Sequence, residues 1–136
     1  MKCGTLSKNF LQRFELKPSL DQNNYQPRFA KESELWWCHL GENIGSEISG
    51  KGVSFTRPCI ILVKFSKYSF FVIPCSTQIK EGSWFVKFKH NQKEQIAVLS
   101  QARCIDYRRF QNKIGMIDEK DFENIREGFA KLYRTK

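Results

Sequence analysis

Two apolar runs, Cys59–Phe65 and Ser69–Ile73, flank the short polar segment Ser66-Lys67-Tyr68. Runs of this length, rich in Ile, Val and Phe, make strands, and a gap this short folds them back as an antiparallel hairpin. The first run is apolar at successive positions, which fits a strand buried on both faces. Pro58 bounds it on one side, and Pro74 stops the second strand. A hairpin of this kind needs further elements to cover it, and the remaining sequence offers them.

Trp36, Cys38 and Leu40 alternate with Leu35, Trp37 and His39, the period of a strand. Trp36 falls on the core side, and Trp37 is positioned to support a loop or a subunit contact. Gly41–Thr56 holds four glycines and reads as a long loop. Trp84, Val86 and Phe88 alternate with Phe85, Lys87 and Lys89, and Ile96–Leu99 and Ala102–Ile105 give shorter strands. Phe122, Ile125, Phe129 and Leu132 mark one face of a C-terminal helix, with Asp118 as its N-cap and Lys131 and Arg134 in its last turn. Leu6, Phe10 and Phe14 mark a separate short helix, followed by a polar arm that carries Pro18 and Pro27. The expected organisation is an N-terminal extension over residues 1–33 and a domain over residues 34–136. Its fold class is mostly β with α: a small antiparallel barrel-like sheet with helices packed on it.

The chain has 136 residues and a formal net charge of +9, with 23 Lys and Arg against 14 Asp and Glu. That balance calls for a polyanionic or acidic partner. No apolar run approaches the ~20 residues of a membrane span. The five cysteines are scattered without C-x-x-C spacing, so reduced thiols packed as small apolar residues are expected, with no metal site. A soluble, cytoplasmic chain is the expectation.

The hairpin also places chemistry. Arg57 and Ser76 stand about equally far from its turn, so pairing brings them together at one edge of the sheet. A guanidinium beside a hydroxyl suits a phosphate. The plainer alternatives are an Arg57 that is solvated or paired with Glu47, and hydroxyls at Ser76 and Thr77 that only cap a turn.

Several segments resemble the MazF/PemK (Kid) toxin family in the order in which they occur. They are Glu34-Leu-Trp-Trp-Cys-His-Leu40, Gly45-Ser-Glu47, Arg57-Pro58, Ile73-Pro-Cys-Ser-Thr-Gln78 and Leu99-Ser-Gln-Ala-Arg-Cys-Ile-Asp106. Lys113-Ile-Gly-Met-Ile117 and the closing helix look like the family as well. The resemblance implies a small β-barrel, a homodimer and a toxin neutralised by a cognate antitoxin, with DNA contacted only through the antitoxin complex. It implies a sequence-selective endoribonuclease that uses no metal and no cofactor and cuts single-stranded RNA. It carries the essential arginine to Arg57, the strand-end hydroxyl to Ser76, with Thr77 adjacent, and the loop glutamate to Glu47. Ser46 stands where some members have histidine, and Ser100 where many have aspartate.

Cleavage of this type uses the RNA 2′-OH as nucleophile and leaves a 2′,3′-cyclic phosphate and a 5′-OH. Arg57 would clamp the developing charge and Ser76 a non-bridging oxygen. Glu47 and His39 are the alternatives for the proton-transfer group. Phe85, Lys87 and Lys89 share one strand face that can stack a base and hold phosphates, unless it is an ordinary solvated face. Arg103 and Arg108 belong to a second basic cluster for RNA or an acidic antitoxin segment. Two other readings stand beside the nuclease. One is a non-enzymatic gyrase poison of similar fold, and the other a degenerate RNA- or antitoxin-binding module, motivated by Ser46 and Ser100.

Overall fold

The computed structural model describes residues 29–41 and 56–134. The helix expected around Leu6–Phe14, and loop residues Ser46 and Glu47, lie outside the described residues. Seven strands form: β1 (Glu34–His39), β2 (Thr56–Lys64), β3 (Ser69–Ser76), β4 (Phe85–His90), β5 (Lys93–Val98), β6 (Arg103–Asp106) and β7 (Phe110–Met116). Helix α1 spans Glu119–Tyr133. The sheet runs β4-β5-β3-β2-β1-β7, with β6 also on β3, and every pairing is antiparallel. The antiparallel sheet with a C-terminal helix is the architecture the sequence predicts.

The β2–β3 hairpin is its centre. Cys59 pairs with Pro74 and Ile60 with Ile73, and the turn closes with the Phe65 and Ser66 N–H groups donating to the Ser69 carbonyl. Both strands run past the prolines expected to bound them. Pro58 lies inside β2 opposite Trp37, since its fixed φ falls within the extended range. Pro74 lies inside β3 where that strand changes partner. Residues 69–72 pair with β6 and residues 75–76 with β5, so a missing N–H there costs no ladder bond on that edge. Leu99 leaves the strand expected over Ile96–Leu99 for a single 3-10 turn. β7 has no counterpart in the strands read from sequence, because its exposed Gln111, Asn112 and Lys113 hide the alternation.

Neighbouring residues along these strands face opposite sides, so the sheet is buried on both. Leu35, Ile60, Ile73, Phe88, Ala97 and Ile125 belong to one cluster; Trp36, Cys59, Ile61, Phe70, Val72 and Phe110 belong to the other. α1 covers the first, burying Phe122 and Ile125 and packing Phe129 and Leu132 at its edge. Asp118 caps it as expected, its carboxylate accepting from the Lys120 N–H at 3.1 Å. At Gly128 a Cβ would stand 2.9 Å from Val86 Cγ2, so glycine lets the helix lie close on β4. Among the described residues, no helix is long and apolar enough to cross a membrane.

Cys38, Cys59 and Cys75 are buried free thiols, while Cys104 is exposed. Burial pushes the Cys38 and Cys75 thiols well up, which keeps them protonated.

The segment before β1 is tied to the sheet. Ala30 is buried in the second cluster, the Ser33 N–H donates to the Ile61 carbonyl, and the Ser33 carbonyl accepts from Ile117. Glu34 anchors it further. Its buried carboxylate accepts from Trp36 Nε1 and from the Lys31 N–H, each at 3.0 Å, and pairs with Lys113 Nζ at 3.0 Å. Burial raises the carboxyl pKa, but these donors outweigh it and hold the group below the ordinary carboxylate value. A depressed pKa adds stability that is complete above the unfolded value of ~4.3 and is lost as pH falls through the folded one. Glu34→Gln is expected to cost about 1–3 kcal/mol at pH 7. The loss should be smaller at pH 3, as read from denaturant melts at the two pH values.

Candidate functional site

Continuing the β2–β3 register from Cys59 and Pro74 sets Arg57 opposite Ser76, as the hairpin reading requires. Arg57 is 9% exposed and its Nη1 donates to the Cys75 carbonyl at 3.2 Å. Burial pushes its pKa down from the ordinary arginine value. Ser76 Oγ accepts from the Gln78 N–H at 3.1 Å, the turn-capping bond of the plainer reading. A hydroxyl that accepts still has its own hydrogen to donate.

Arg57, Pro58, Cys75, Ser76 and Thr77 form one wall of a cleft of about 580 Å³. Leu35, Trp37 and Ile114 contribute from β1 and β7, and His90, Asn91, Lys93 and Gln95 from the β4–β5 hairpin. No acidic side chain lines the cleft among the described residues, while Arg57 and Lys93 bring positive charge. The arrangement therefore favours an anion.

The β4–β5 side was not legible beforehand. Asn91 and Gln92 both have positive φ, 52° and 65°, which makes a two-residue reversal that pairs His90 with Lys93. The asparagine between the two strands is the residue in the sequence that marks such a turn. Holding Gln92 in the left-handed region costs on the order of 1–2 kcal/mol, and such strain clusters at functional sites.

Pairing within this hairpin decides which face meets the cleft. His90 with Lys93, Phe88 with Gln95 and Val86 with Ala97 share one face, whose deep end is core and whose open end is the cleft. Phe85, Lys87 and Lys89 share the other face, and none of them lines the cleft. Lys87 Nζ instead pairs with Glu81 at 3.0 Å. Arg103 and Arg108 do not line it either. Arg108 holds Asp106, its Nε donating to Oδ1 at 2.8 Å. His39 is buried on β1 and does not line the cleft, and its carbonyl accepts from Arg109 Nη1 at 3.0 Å. The structure thus joins Arg57, Ser76 and Thr77, and leaves the other described residues expected at the site elsewhere. The imidazole it does bring to the cleft is His90.

His90 also closes the sheet. A Cβ at Gly115 would fall 2.5 Å from His90 Nε2 and 2.9 Å from Cε1, so the ring packs directly on the β7 backbone. β4 and β7 are the two ends of the strand order, and this contact brings them together. Glycine at position 115 makes room for the ring.

The chain is thus a small, nearly closed antiparallel sheet with a C-terminal helix and a basic cleft. The model of the PemK-like, MazF-like toxins of type II toxin–antitoxin systems matches residues 31–133, and the chain belongs to that family. Solved structures agree on the fold. MazF (Form-I) from Deinococcus radiodurans matches with a TM-score of 0.65 and 15% identity, covering 78% of this chain and 97% of that one. An endoribonuclease in complex with its cognate antitoxin, from Mycobacterial species, matches at 0.61 with 10% identity, covering 79% and 98%. The Mycobacterium tuberculosis toxin MazF-mt6 matches at 0.53 with 14% identity, covering 66% and 96%. No curated protein sequence matches this chain.

Proposed function

We propose that this toxin is an endoribonuclease that cuts single-stranded RNA by in-line attack of the RNA's own 2′-OH. The observation that carries the reading is the basic cleft that joins Arg57, Ser76, His90 and Lys93 without a described carboxylate. Attack forms a bond from O2′ to phosphorus and breaks the bond from phosphorus to O5′. The 2′ proton passes to a base, and O5′ leaves with a proton, giving a 2′,3′-cyclic phosphate and a 5′-OH. Arg57 stabilises the charge that builds on the phosphoryl oxygens, and the Ser76 hydroxyl donates to one of them. His90 takes the proton role at the cleft, because imidazoles as a class exchange protons near neutral pH. Glu47, carried over from the family resemblance, is the second group for proton transfer. Lys93 draws in the RNA backbone.

The partners follow the same reading. Relatives of this fold are solved as MazE–MazF complexes and as an endoribonuclease with its cognate antitoxin, which supports an antitoxin partner here. A homodimer in the cytoplasm is part of the proposal, with DNA contacted only through the antitoxin.

The test is incubation of the purified protein with long single-stranded RNA in EDTA. Discrete fragments with 5′-OH ends are expected. No cleavage of any RNA, together with inhibited DNA supercoiling, would replace this reading with that of a gyrase poison.

A further inference from the structure

Gln95 lies on β5 and is 7% exposed, yet it lines the cleft. Its carboxamide has no hydrogen-bond partner among the described residues. A buried amide carries two N–H donors and an acceptor, and leaving them unpaired is costly. Buried polar side chains are nearly always satisfied, so an orphan at a cleft wall calls for a missing partner. The register fixes where that partner sits. Gln95 pairs with Phe88, two residues along the shared face from the His90–Lys93 pair. Continuing the β3–β5 register from Cys75 and Ala97 sets Gln95 opposite Thr77, beside Ser76. The orphan amide thus adjoins both the strand-end hydroxyls and the open, basic end of the hairpin.

We infer that Gln95 is a specificity-determining residue, whose carboxamide reads the edge of one unpaired nucleobase next to the scissile phosphate. The inference rests on the RNA-cleavage reading above. A base edge offers a donor and an acceptor side by side, which is the complement of a carboxamide, and splayed single-stranded bases expose such edges. The base supplies the bonds the folded protein lacks, so specificity is obtained at the expense of stability. This separates Gln95 from Arg57 and Ser76, which meet the phosphate that every nucleotide carries.

The test compares cut sites of the wild type and Gln95→Met across a randomised single-stranded RNA pool, by sequencing the new 5′-OH ends. Methionine keeps the shape of glutamine and removes its polar atoms. Base preference at one position beside the cut is expected to fall about 10- to 100-fold, with preferences elsewhere retained. The melting temperature of the free protein is expected to rise by about 2–6 °C, because an unsatisfied buried amide is gone. Gln95→Glu, which cannot donate when ionised, is expected to move the same position towards bases that present a donor. Wild-type cleavage with an unchanged cut-site profile in Gln95→Met overturns this inference alone. A fall in melting temperature for Gln95→Met does the same, by showing a structural amide. Wild-type protein that cleaves no RNA removes the nuclease reading and this inference with it.

Discussion

Arg57→Ala is expected to lower the cleavage rate of a defined RNA by at least about 100-fold, the loss typical of removing one preorganised charge donor from an active site. The effect should fall on kcat more than on KM, because the charge the guanidinium meets develops in the transition state. Stability should fall too. Arg57 is buried and donates to the Cys75 carbonyl, and orphaning a buried carbonyl costs about 1–3 kcal/mol. Arg57→Lys separates the two effects. Lysine restores the charge and a donor for the Cys75 carbonyl without the planar fork, so it should recover much of the stability and little of the rate. Single-turnover cleavage and thermal melts on the three proteins give the comparison. An Arg57→Ala protein that melts cooperatively and cuts at the wild-type rate would take Arg57 out of the chemistry.

Gly115→Ala should slow cleavage by about 10- to 100-fold through a residue that touches no substrate. The new Cβ would stand 2.5 Å from His90 Nε2, so the imidazole must swing out of its place in the cleft. The colliding atoms are the far end of a side chain, so the fold tolerates the change, while a displaced proton-transfer group loses rate. His90→Gln should cost about 100-fold or more. The two changes act on one group, so the double variant should be no slower than His90→Gln alone. Fully additive losses in that cycle would show that Gly115 acts by another route, and a wild-type rate in His90→Gln would assign the proton transfer elsewhere.

The fold was largely open to a reading of the residues, and the cleft only half so. The β2–β3 hairpin could be read because its two runs are apolar and continuous and its turn is three residues long. Those facts bring Arg57 to the Ser76–Thr77 end of β3, and a register shift between Ile61 and Val63 then sets it opposite Ser76. β7 was hidden because three consecutive residues of it are exposed and polar, and its pairing with β1 is broken by two register shifts. The β4–β5 hairpin shows the limit most clearly. Trp84 precedes β4 and is exposed, while the alternation of Val86 and Phe88 with Phe85, Lys87 and Lys89 is a correct reading of the strand. It cannot say that the apolar face turns polar at its end and opens on the cleft. The cations at Lys87 and Lys89 drew attention to the opposite face, where Lys87 is held by Glu81. His39 and His90 look alike in sequence, each at the end of a strand. β1 lies inside the sheet, whereas the tip of β4 crosses to β7.

By itself the sequence determined most of the elements and the central β2–β3 pairing. Periodicity, turn length and capping act between residues close in the chain, so strand alternation, the central hairpin and the Asp118 cap follow from them. The net charge likewise pointed to an anionic partner. Closure of the sheet decided the rest. His90 reaches the cleft because Gly115, twenty-five residues further on, leaves room for its ring, and Gln95 is buried without a partner among the described residues because β5 docks on the end of β3. Such contacts depend on how the two ends of a twisted sheet meet, which no local pattern encodes.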